Sequence, residues 1–523
     1  MSYNNPGFEQ KHRIIKKRIT EMKKEIANGG EQVTLKRQLN PMHVWAIAFG
    51  CIIGWGSFIN PGKKFLPNSG VAGTAIAMVL GALVMVIIAA SYAYMVPKYP
   101  QSGGEFTFTK NCFGKIPAFI CGWFLVAGYL TNVPMNSTAI GMIVDGVDGD
   151  ANILKWGFSY EIAGFPVHLG EILFAGAILI LFGILNIVGV KKAGFVQIVL
   201  ASLLAICAFT LCIACIISAD KQGINWELAW GFDKNAALEA AGGKELTNIA
   251  GVNFADYANG TTSQGKIAAI LATFAIAPWA FVGFDTIPQA AEEFKFSYKK
   301  VMKILVIAIA FGAFVYISNN TVAAAVYANW PEDVLKNDWV LLIAAKHLLG
   351  NFGTVLIAIG VSCAVLSGIM GFYLASSRLM FAMARDGYLP KVFSKVDPKY
   401  GTPKNAMIFC IAVSLAGPIL GRNALGWFVD MSAIGASIGY MFTCLATLIT
   451  MKKFGDGKIG LKILAAAGAF LSIVFIVLQL IPIPGLSGVS FGTESYILLI
   501  VWIVLGALFY IYENAKKKKN ELE

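Results

Sequence analysis

Two apolar segments of the sequence contain residues that interrupt a helix near the middle of the segment. The first segment reads Ile53-Gly54-Trp55-Gly56-Ser57-Phe58 at its centre. The second reads Ala277-Pro278-Trp279-Ala280-Phe281-Val282-Gly283-Phe284-Asp285. A glycine weakens a helix by about 1 kcal/mol relative to alanine, and a proline removes one backbone donor and clashes with the preceding turn. Both segments are therefore predicted to break, which leaves backbone N–H and C=O groups free to bind a ligand.

A broken helix has two kinds of free backbone group, and each kind binds a charge of a different sign. The N–H groups at a helix start attract an anion, whereas free carbonyl groups attract a cation. A ligand that carries both a carboxylate and an ammonium group would use both sets. The predicted substrate-binding residues therefore lie at the two breaks: Ile53, Gly54, Trp55, Gly56, Ser57, Ala277, Trp279, Ala280, Phe281 and Gly283. The simpler alternative is that the glycines only allow two helices to pack closely.

Two acids and two serines in apolar segments are candidates for coupling to an ion. A carboxyl group buried in an apolar environment can bind and release a proton. Asp285 is better placed for this than Asp430, because it follows the second break. Ser362 and Ser367 could supply oxygen ligands to a sodium ion, although serines in membrane helices more often make packing contacts. No other metal site and no cofactor is predicted, and coupling to H+ or to Na+ stays open.

The composition indicates a membrane protein. Of 523 residues, 57% are hydrophobic and only 14% are charged, whereas a soluble chain keeps about a quarter of its residues charged. The net charge of +12 comes from clusters between apolar runs, which argues against nucleic acid as a partner. Nine cysteines lie in or beside apolar runs without metal-type pairing and are expected to pack as small hydrophobic residues. The lipid bilayer is the solvent that suits this sequence.

Runs of about twenty apolar residues predict an all-α polytopic protein with about twelve transmembrane helices. The predicted helices are Pro41–Ile59, Val71–Val96, Ile116–Val144, Leu169–Val188, Ala193–Ser218, Ile267–Ala290, Val301–Tyr327, Phe352–Ala384, Asn405–Leu420, Leu425–Thr450, Leu461–Ile481 and Glu494–Tyr512. The two breaks thus fall in the first and sixth helices, at corresponding places of two five-helix repeats. Paired interruptions of this kind mark the binding site of a transporter.

The charge distribution predicts how the chain is oriented and divided. Lysine and arginine fall mainly in one set of loops, which predicts a multi-pass protein of the inner (plasma) membrane with both termini in the cytoplasm. The predicted parts are a basic amphipathic segment (1–40), a first repeat (41–218), an external loop (219–266), a second repeat (267–450), two further helices (451–512) and a basic tail (513–523). Within the first part, Lys11–Ile26 is predicted to be a helix on the membrane surface.

Other classes of function fit the sequence less well. An enzyme is not predicted, because the four histidines are scattered and no HExxH, phosphate-binding or serine-triad motif appears. A channel is the closer rival, since polar breaks in the membrane also build selectivity filters. Channels usually repeat a pore unit by oligomerisation, whereas this chain carries its own repeat. A sensor derived from a transporter is a further alternative, and the chain is expected to be a monomer or a homodimer.

Three motifs resemble the amino acid–polyamine–organocation permease superfamily. Residues 53–58 resemble the motif I-G-x-G-x-F in the first helix, and residues 100–106 (PQSGGEF) resemble P-x-x-G-G-x-Y before the third. Residues 378–390 (RLMFAMARDGYLP) resemble R-x-x-x-x-M-A-R-D-G-x-L-P after the eighth. The three motifs occur in the right order, and the similarity extends over about residues 36–512. The resemblance implies a five-plus-five inverted-repeat fold with helices 1 and 6 broken, and transport by alternating access.

The resemblance also implies roles for individual residues. The sixth-helix segment is most similar to the W-x-F-x-G-x-E pattern of the bacterial arginine/agmatine antiporter. By this resemblance Trp279 would be an aromatic gate over the substrate, and Asp285 would match a glutamate proposed to sense protons. Asn132, in Thr131–Met135, would match an asparagine of the third helix that contacts the substrate.

Trp55 departs from the family pattern, which usually has serine or threonine at this position. An indole that faces the site would narrow it or stack on the ligand, whereas one that faces away would leave the backbone amides to bind a carboxylate. Both orientations stay open. Because no acid other than Asp285 lies near the breaks in sequence, a dibasic substrate lacks a second partner. The sequence therefore predicts a symporter or exchanger of small neutral amino acids, with transport of amines or polyamines as the alternative.

Overall fold

A computed structural model of the chain describes residues 35–148, 152–162, 164–218, 224–327, 329–336, 339–422, 424–482 and 490–522. The helix predicted on the membrane surface, Lys11–Ile26, lies outside these residues.

The first half of the chain contains seven helices and one β-hairpin among the described residues. They are α1 (Pro41–Ile52), α2 (Gly56–Asn60), a π-helical turn (Pro61–Phe65), α3 (Leu66–Lys98), α4 (Gly104–Phe113), α5 (Lys115–Asp148), β1 (Ser159–Ile162), β2 (Phe165–His168), α6 (Leu169–Val188) and α7 (Val190–Ile217). The two strands pair antiparallel, with Ser159 opposite His168. Helices α1 and α2 are the two parts of the first span.

The second half contains twelve further helices in the part of the chain that the structure describes. They are α8 (Lys234–Ala240), α9 (Ser263–Phe274), α10 (Ala277–Ala280), α11 (Thr286–Gln289), α12 (Val301–Ala325), α13 (Trp330–Lys336), α14 (Val340–Leu349), α15 (Asn351–Arg385), α16 (Lys404–Ser414), α17 (Ala424–Phe454), α18 (Ile459–Leu480) and α19 (Thr493–Leu522). Helices α9, α10 and α11 are the pieces of the sixth span.

The predicted all-α polytopic fold with broken first and sixth spans is confirmed. Nine helices of the described residues are long and apolar enough to cross a bilayer, and one of these runs from α2 into α3. The first, sixth and ninth spans are built from shorter pieces. The ninth was expected as one helix, Asn405–Leu420, but α16 ends at Ser414 and a separate 3₁₀ turn, Pro418–Leu420, completes it. Proline lacks the N–H group that a continuous helix needs at this point.

The entry into the first span is fixed by local capping. The Asn40 side chain accepts a hydrogen bond from the His43 N–H group (2.9 Å), and Pro41 occupies the first helical position, where no N–H group is needed. A second fixed point is Gly70 in α3, which has φ +61°. A Cβ atom there would lie 2.3 Å from the Ala229 carbonyl oxygen, so only glycine admits this loop contact.

The helices form an inner group and an outer group. Helix α5 packs along α15 and α17, and α1 packs against α7, α12 and α15. In the most apolar part of α15, 72% of the residues are buried, against 17% in α19. The outer helices expose isoleucine, leucine and phenylalanine, which is the surface that lipid requires. The protein is therefore a multi-pass membrane protein whose inner helices position the broken segments.

The two faces of the molecule differ in character. We call the face that carries the β-hairpin and residues 224–262 the hairpin face. The opposite face carries Lys295, Lys299 and Lys300, and we call it the basic face.

Candidate functional site: the crossing of the two broken spans

The first span breaks at residues 53–55. The Ile53 N–H group makes the last hydrogen bond of α1, to the carbonyl four residues earlier (3.0 Å). Both the N–H and the hydroxyl of Ser57 donate to the Gly54 carbonyl (3.2 and 3.0 Å). Among the described residues, no acceptor lies within hydrogen-bond distance of the N–H groups of Gly54, Trp55 and Gly56. Three adjacent donors are thus available to an anion.

The sixth span presents the opposite polarity. Pro278 lies in the first turn of α10, where its missing N–H group costs no hydrogen bond. The Ala277 carbonyl accepts from the Phe281 N–H group (3.0 Å) and closes this short helix. The carbonyl oxygens of Ala280, Phe281 and Val282 have no donor in the part of the chain that is described. These three acceptors are available to a cation.

Gly283 brings the two breaks together. Its φ angle is +138°, and a Cβ atom there would lie 2.6 Å from both Cys51 Cβ and Ile52 N. Only a residue without a side chain allows the sixth span to cross the first at this distance. The crossing places the free carbonyls of the sixth span beside the end of α1, where the free N–H groups begin.

Two indoles lie over the crossing. The rings of Trp55 and Trp279 are 6.0 Å apart and inclined by 55°. They form the floor of a cavity of about 550 Å³ that opens to the hairpin face. A Cβ atom on Gly56 would lie 2.3 Å from Trp279 Cη2, so this glycine makes room for the indole. Trp55 therefore lines the cavity, as an indole that faces the predicted site would.

The mouth of the cavity carries more positive than negative charge. Asp145 and Arg422 both line it, and the Arg422 guanidinium donates to Asp145 Oδ2 and Glu171 Oε1 (2.6 Å each). Lys63 and Lys64 also line it. Neither lysine has a carboxylate oxygen within 4.0 Å among the described residues. The negative charge of Asp145 is thus paired with Arg422, whereas Lys63 and Lys64 can interact electrostatically with a ligand that enters the cavity.

Helix α5 contains two asparagines near the crossing, Asn132 and Asn136, and they make different contacts. Asn132 Nδ2 donates to the Gly128 carbonyl and to Ser432 Oγ (2.6 Å each), so this side chain joins α5 to α17. Asn136, one turn further, points at the first break instead. Its Oδ1 is buried without a donor in the described structure and lies 3.6 Å from where a Cβ atom on Gly54 would stand. Asn136 is therefore the better candidate for contact with a ligand.

Asp285 lies beneath the crossing in a fully buried group of polar side chains. Its Oδ1 accepts from the Gly283 N–H group (2.7 Å), and its Oδ2 accepts from the Tyr129 hydroxyl (2.9 Å). The same hydroxyl lies 3.2 Å from Glu105 Oε1. Glu105 also accepts from the hydroxyl of Tyr92 (2.8 Å) and from Nε2 of Gln289 (2.5 Å). Asp430, by contrast, is half-buried in α17 and accepts from Ser495 Oγ (2.6 Å).

The serines predicted for sodium lie in α15. Ser367 Oγ lies within hydrogen-bond distance of the carbonyls of Ala364 (2.9 Å) and Gly50 (3.1 Å). Nε2 of Gln197 donates to the carbonyls of Ala46 (3.2 Å) and Ser367 (3.1 Å). The Gln197 side chain of α7 thus donates hydrogen bonds to one carbonyl oxygen of α1 and one of α15. Ser362 is half-buried and makes no hydrogen bond among those identified in the described chain.

Ion pairs close the basic face. Arg378 Nε donates to Glu293 Oε1 (2.7 Å), and both side chains are at most 1% exposed. Arg385 pairs with Glu292 (2.7 Å) and is slightly more exposed. Both glutamates directly follow the sixth span, Arg385 ends α15, and Arg378 lies seven residues before this end. The crossing is therefore sealed from the basic face and approached from the hairpin face.

A family model described as amino acid permease matches residues 39–509. This match covers both broken spans and most of the chain. The chain belongs to the amino acid permease family.

Named relatives agree with this assignment. The permease is 29% identical to the large neutral amino acids transporter small subunit 2 of Homo sapiens over 395 residues, 75% of this chain and 66% of that protein. It is 24% identical to the branched-chain amino acid permease BcaP of Bacillus subtilis (strain 168) over 503 residues, 95% and 97% of the two chains. It is 26% identical to the Asc-type amino acid transporter 1 of Mus musculus over 392 residues, 75% and 66%. The permease thus spans just under two thirds of the mammalian proteins and nearly all of the bacterial one.

Four buried polar residues around the crossing were not found from the sequence. Asn136 follows Pro134 in an apolar helix and resembles any packing amide in the sequence. Gln197 lies in α7 among apolar residues. Glu105 belongs to the motif PQSGGEF, and Tyr129 lies in the third span; neither carries a signal that it meets Asp285. Asp285 lies 156 residues from Tyr129, and Ala46 lies 151 residues from Gln197, so only the fold reveals these contacts.

Proposed function

We propose that the permease carries neutral amino acids across the membrane and holds them at the crossing of the two broken spans. The observation that carries this proposal is the pair of opposed backbone sets. The carboxylate binds to the N–H groups of Gly54, Trp55 and Gly56, and the ammonium group binds to the free carbonyls of residues 280–282. Asn136 Oδ1 adds an acceptor for the ammonium group. An amine without a carboxylate would leave three N–H groups unmatched.

The charge at the mouth supports neutral substrates. A second ammonium group would pass Lys63 and Lys64, and would find Asp145 already engaged by Arg422. Like charges oppose a cationic side chain, and burial without a partner is costly. The relatives named for large neutral and branched-chain amino acids fit the same class. The indoles of Trp55 and Trp279 restrict the side chain to a small or medium apolar one.

We assign this arrangement to the outward-facing state of an alternating-access cycle. The hairpin face is assigned to the outside and the basic face to the cytoplasm of a cell's plasma membrane, because lysine and arginine are enriched on cytoplasmic loops. With this orientation the cavity opens outward and the two Arg–Glu pairs close the inner side. Movement of Trp279 would seal the substrate from outside before these pairs separate.

Sodium is not the coupling ion in this proposal. The carbonyls of Ala46 and Ser367 accept from Gln197, and the Ser367 hydroxyl acts as a donor to the carbonyl of Ala364 or Gly50. A sodium ion needs several free oxygen ligands, which this arrangement does not supply. Uptake should therefore be equal in sodium and choline buffers, and a strict need for sodium would contradict the assignment.

A thermal-shift panel on the purified protein tests the substrate class. Each amino acid is paired with its decarboxylated amine: alanine with ethylamine, valine with isobutylamine, leucine with isoamylamine. A ligand present at 100 times its dissociation constant stabilises a protein by about 2.7 kcal/mol. We expect stabilisation by the neutral amino acids and none by the amines or by lysine. Stabilisation by the amines alone would transfer the assignment to amine transport. Saturable counterflow in proteoliposomes then separates a carrier from a channel.

A further inference from the structure

Two carboxyl groups beneath the crossing share one hydroxyl group. Glu105 and Asp285 are both 0% exposed. The Tyr129 oxygen lies 3.2 Å from Glu105 Oε1 and 2.9 Å from Asp285 Oδ2. A phenol has one proton, so it donates to only one of two carboxylates. The other contact is a hydrogen bond only if that carboxyl group carries a proton of its own.

No positive charge of the described residues pairs with Glu105 or Asp285. Neither Glu105 nor Asp285 takes part in any of the ion pairs of the described chain. The titratable groups that face the pair come from four neighbouring helices and are all neutral acids: Cys51 of α1, Tyr92 of α3, Cys121 and Tyr129 of α5, and Tyr440 of α17. Two buried negative charges without a counter-ion are unfavourable by many kcal/mol, and two neighbouring carboxyl groups relieve this by keeping one proton.

Two further buried atoms favour a bound proton. Gln289 is 0% exposed; its Nε2 donates to Glu105 Oε2, while its Oε1 has no donor among the described residues. Rotation of this amide would let Oε1 accept from a protonated Glu105. The Tyr440 hydroxyl is also buried without a partner there, with its ring 6.4 Å from that of Tyr92. The surroundings can thus hydrogen-bond the pair in either protonation state.

We infer that Glu105 and Asp285, bridged by Tyr129, form a proton-binding site that holds one proton in this outward-facing structure. In one arrangement Asp285 Oδ2–H donates to the Tyr129 oxygen and the Tyr129 hydroxyl donates to Glu105. In the other, Glu105 is protonated and the Tyr129 hydroxyl donates to Asp285. The proton moves between the two carboxyl groups through a concerted shift along these hydrogen bonds, and the total charge of the pair stays at −1.

The position of the pair connects the proton to the movement of the sixth span. Asp285 accepts from Gly283, the residue at which the spans cross, and Glu105 is held by Gln289 at the end of α11. A Cβ atom on Gly104 would lie 2.8 Å from Gln289 Nε2, so α4 and α11 are in direct contact. Opening of the basic face would separate them and expose Glu105 to the cytoplasm. This coupling step rests on the proposed transport function, whereas the proton site itself does not.

Infrared spectroscopy of the purified full-length protein tests the site without any substrate. The measurement is the C=O stretching band of protonated carboxyl groups as the pH is raised. We expect a band at neutral pH in the wild type and in the control E227Q, an exposed loop acid. The band should lose one carboxyl equivalent in the double variant E105Q/D285N. Each single variant should lose its band at a lower pH than the wild type, by on the order of one pH unit, because the neighbouring negative charge is gone. An unchanged band in the double variant would overturn the site.

Y129F provides a second, structurally mild test. It keeps the ring and removes the shared hydroxyl, so the pH at which the band disappears should shift while the protein stays folded. Identity with the wild type would refute the bridging role of Tyr129.

Proteoliposomes test the coupling separately. Uptake of a neutral amino acid by the wild type should acidify the lumen, as read by a trapped pH dye, and E105Q should exchange amino acids without acidification. Uptake without proton movement in the wild type would reject the coupling and leave the proton site standing. Absence of any amino acid uptake, with the infrared result intact, would instead refute the proposed function.

Discussion

Removal of the Arg378 guanidinium should destabilise the permease more than removal of any other surface or buried charge at the basic face. Arg378 and Glu293 are 0% and 1% exposed, and one hydrogen bond of 2.7 Å joins them. The variant R378M keeps the length of the side chain and leaves the Glu293 carboxylate buried without a partner. Breaking a buried pair in this way costs about 3–5 kcal/mol.

The matched control is the neighbouring pair. Arg385 and Glu292 are 12% and 9% exposed, and Glu292 keeps a hydrogen bond from the Ser102 N–H group (3.1 Å) after the arginine is removed. R385M should therefore cost less, about 1–3 kcal/mol. The double variant R378M/E293M removes both buried charges and should recover most of the loss, because apolar side chains of similar volume replace the pair.

Unfolding in detergent, followed by intrinsic fluorescence, measures all three variants against the wild type. The expected order of stability is wild type, then R378M/E293M and R385M, then R378M. If R378M were as stable as R385M, the Glu293 carboxylate would not be left buried without a partner in R378M. If the double variant were as unstable as R378M, the loss would come from packing and the electrostatic reasoning would be wrong.

Three further outcomes are expected. Trp55→Ser should widen the range of side chains that compete for uptake, because the indole lines the cavity; an unchanged competition panel would contradict this. Gly56→Ala should abolish uptake while the protein still folds, since the new methyl group would lie 2.3 Å from the Trp279 ring; Gly460→Ala, where nothing lies within 4 Å, is the control. Burial and the nearby Asp285 carboxyl group raise the pKa of Glu105, which lies in α4 between the spans. Because the pKa is raised in the folded state, stability is lost as the pH rises from the ordinary carboxyl pKa to this raised value, so the melting temperature should fall over that interval. The melting temperature of the variant E105Q should fall less over the same pH range. A fall equal to that of the wild type would mean that other groups cause it.

The sequence predicted the fold because membrane helices are specified locally. Apolar length alone defines a span, and the glycines and proline at residues 54–56 and 278–283 define the breaks. The same local reasoning fails for the ninth span, where the interruption at Pro418 divides a segment that is apolar throughout. Local sequence therefore predicts that a helix exists better than where it ends.

The candidate site was predicted in part, because its backbone groups depend on the breaks and its side chains depend on packing. The orientation of Trp55 could not be derived, since the three non-helical residues 53–55 destroy the 3.6-residue periodicity that would fix its direction. The choice between Asn132 and Asn136 depends on which turn of α5 lies beside α1. The link from Glu105 to Asp285 joins residues 180 positions apart, for which one sequence carries no signal.

The crossing at Gly283 also has a consequence for the synthesis of the chain. The first break enters the membrane with N–H groups that lipid cannot satisfy, while the segment that lies against it is still unmade. Residues 277–283 leave the ribosome about 225 residues later, which at 5–20 residues per second is roughly 10–45 seconds. A nascent chain that stalls in this interval presents an open break to the bilayer. The segment before α9, residues 224–262, is therefore the last part of the chain to be made before the first break can be covered.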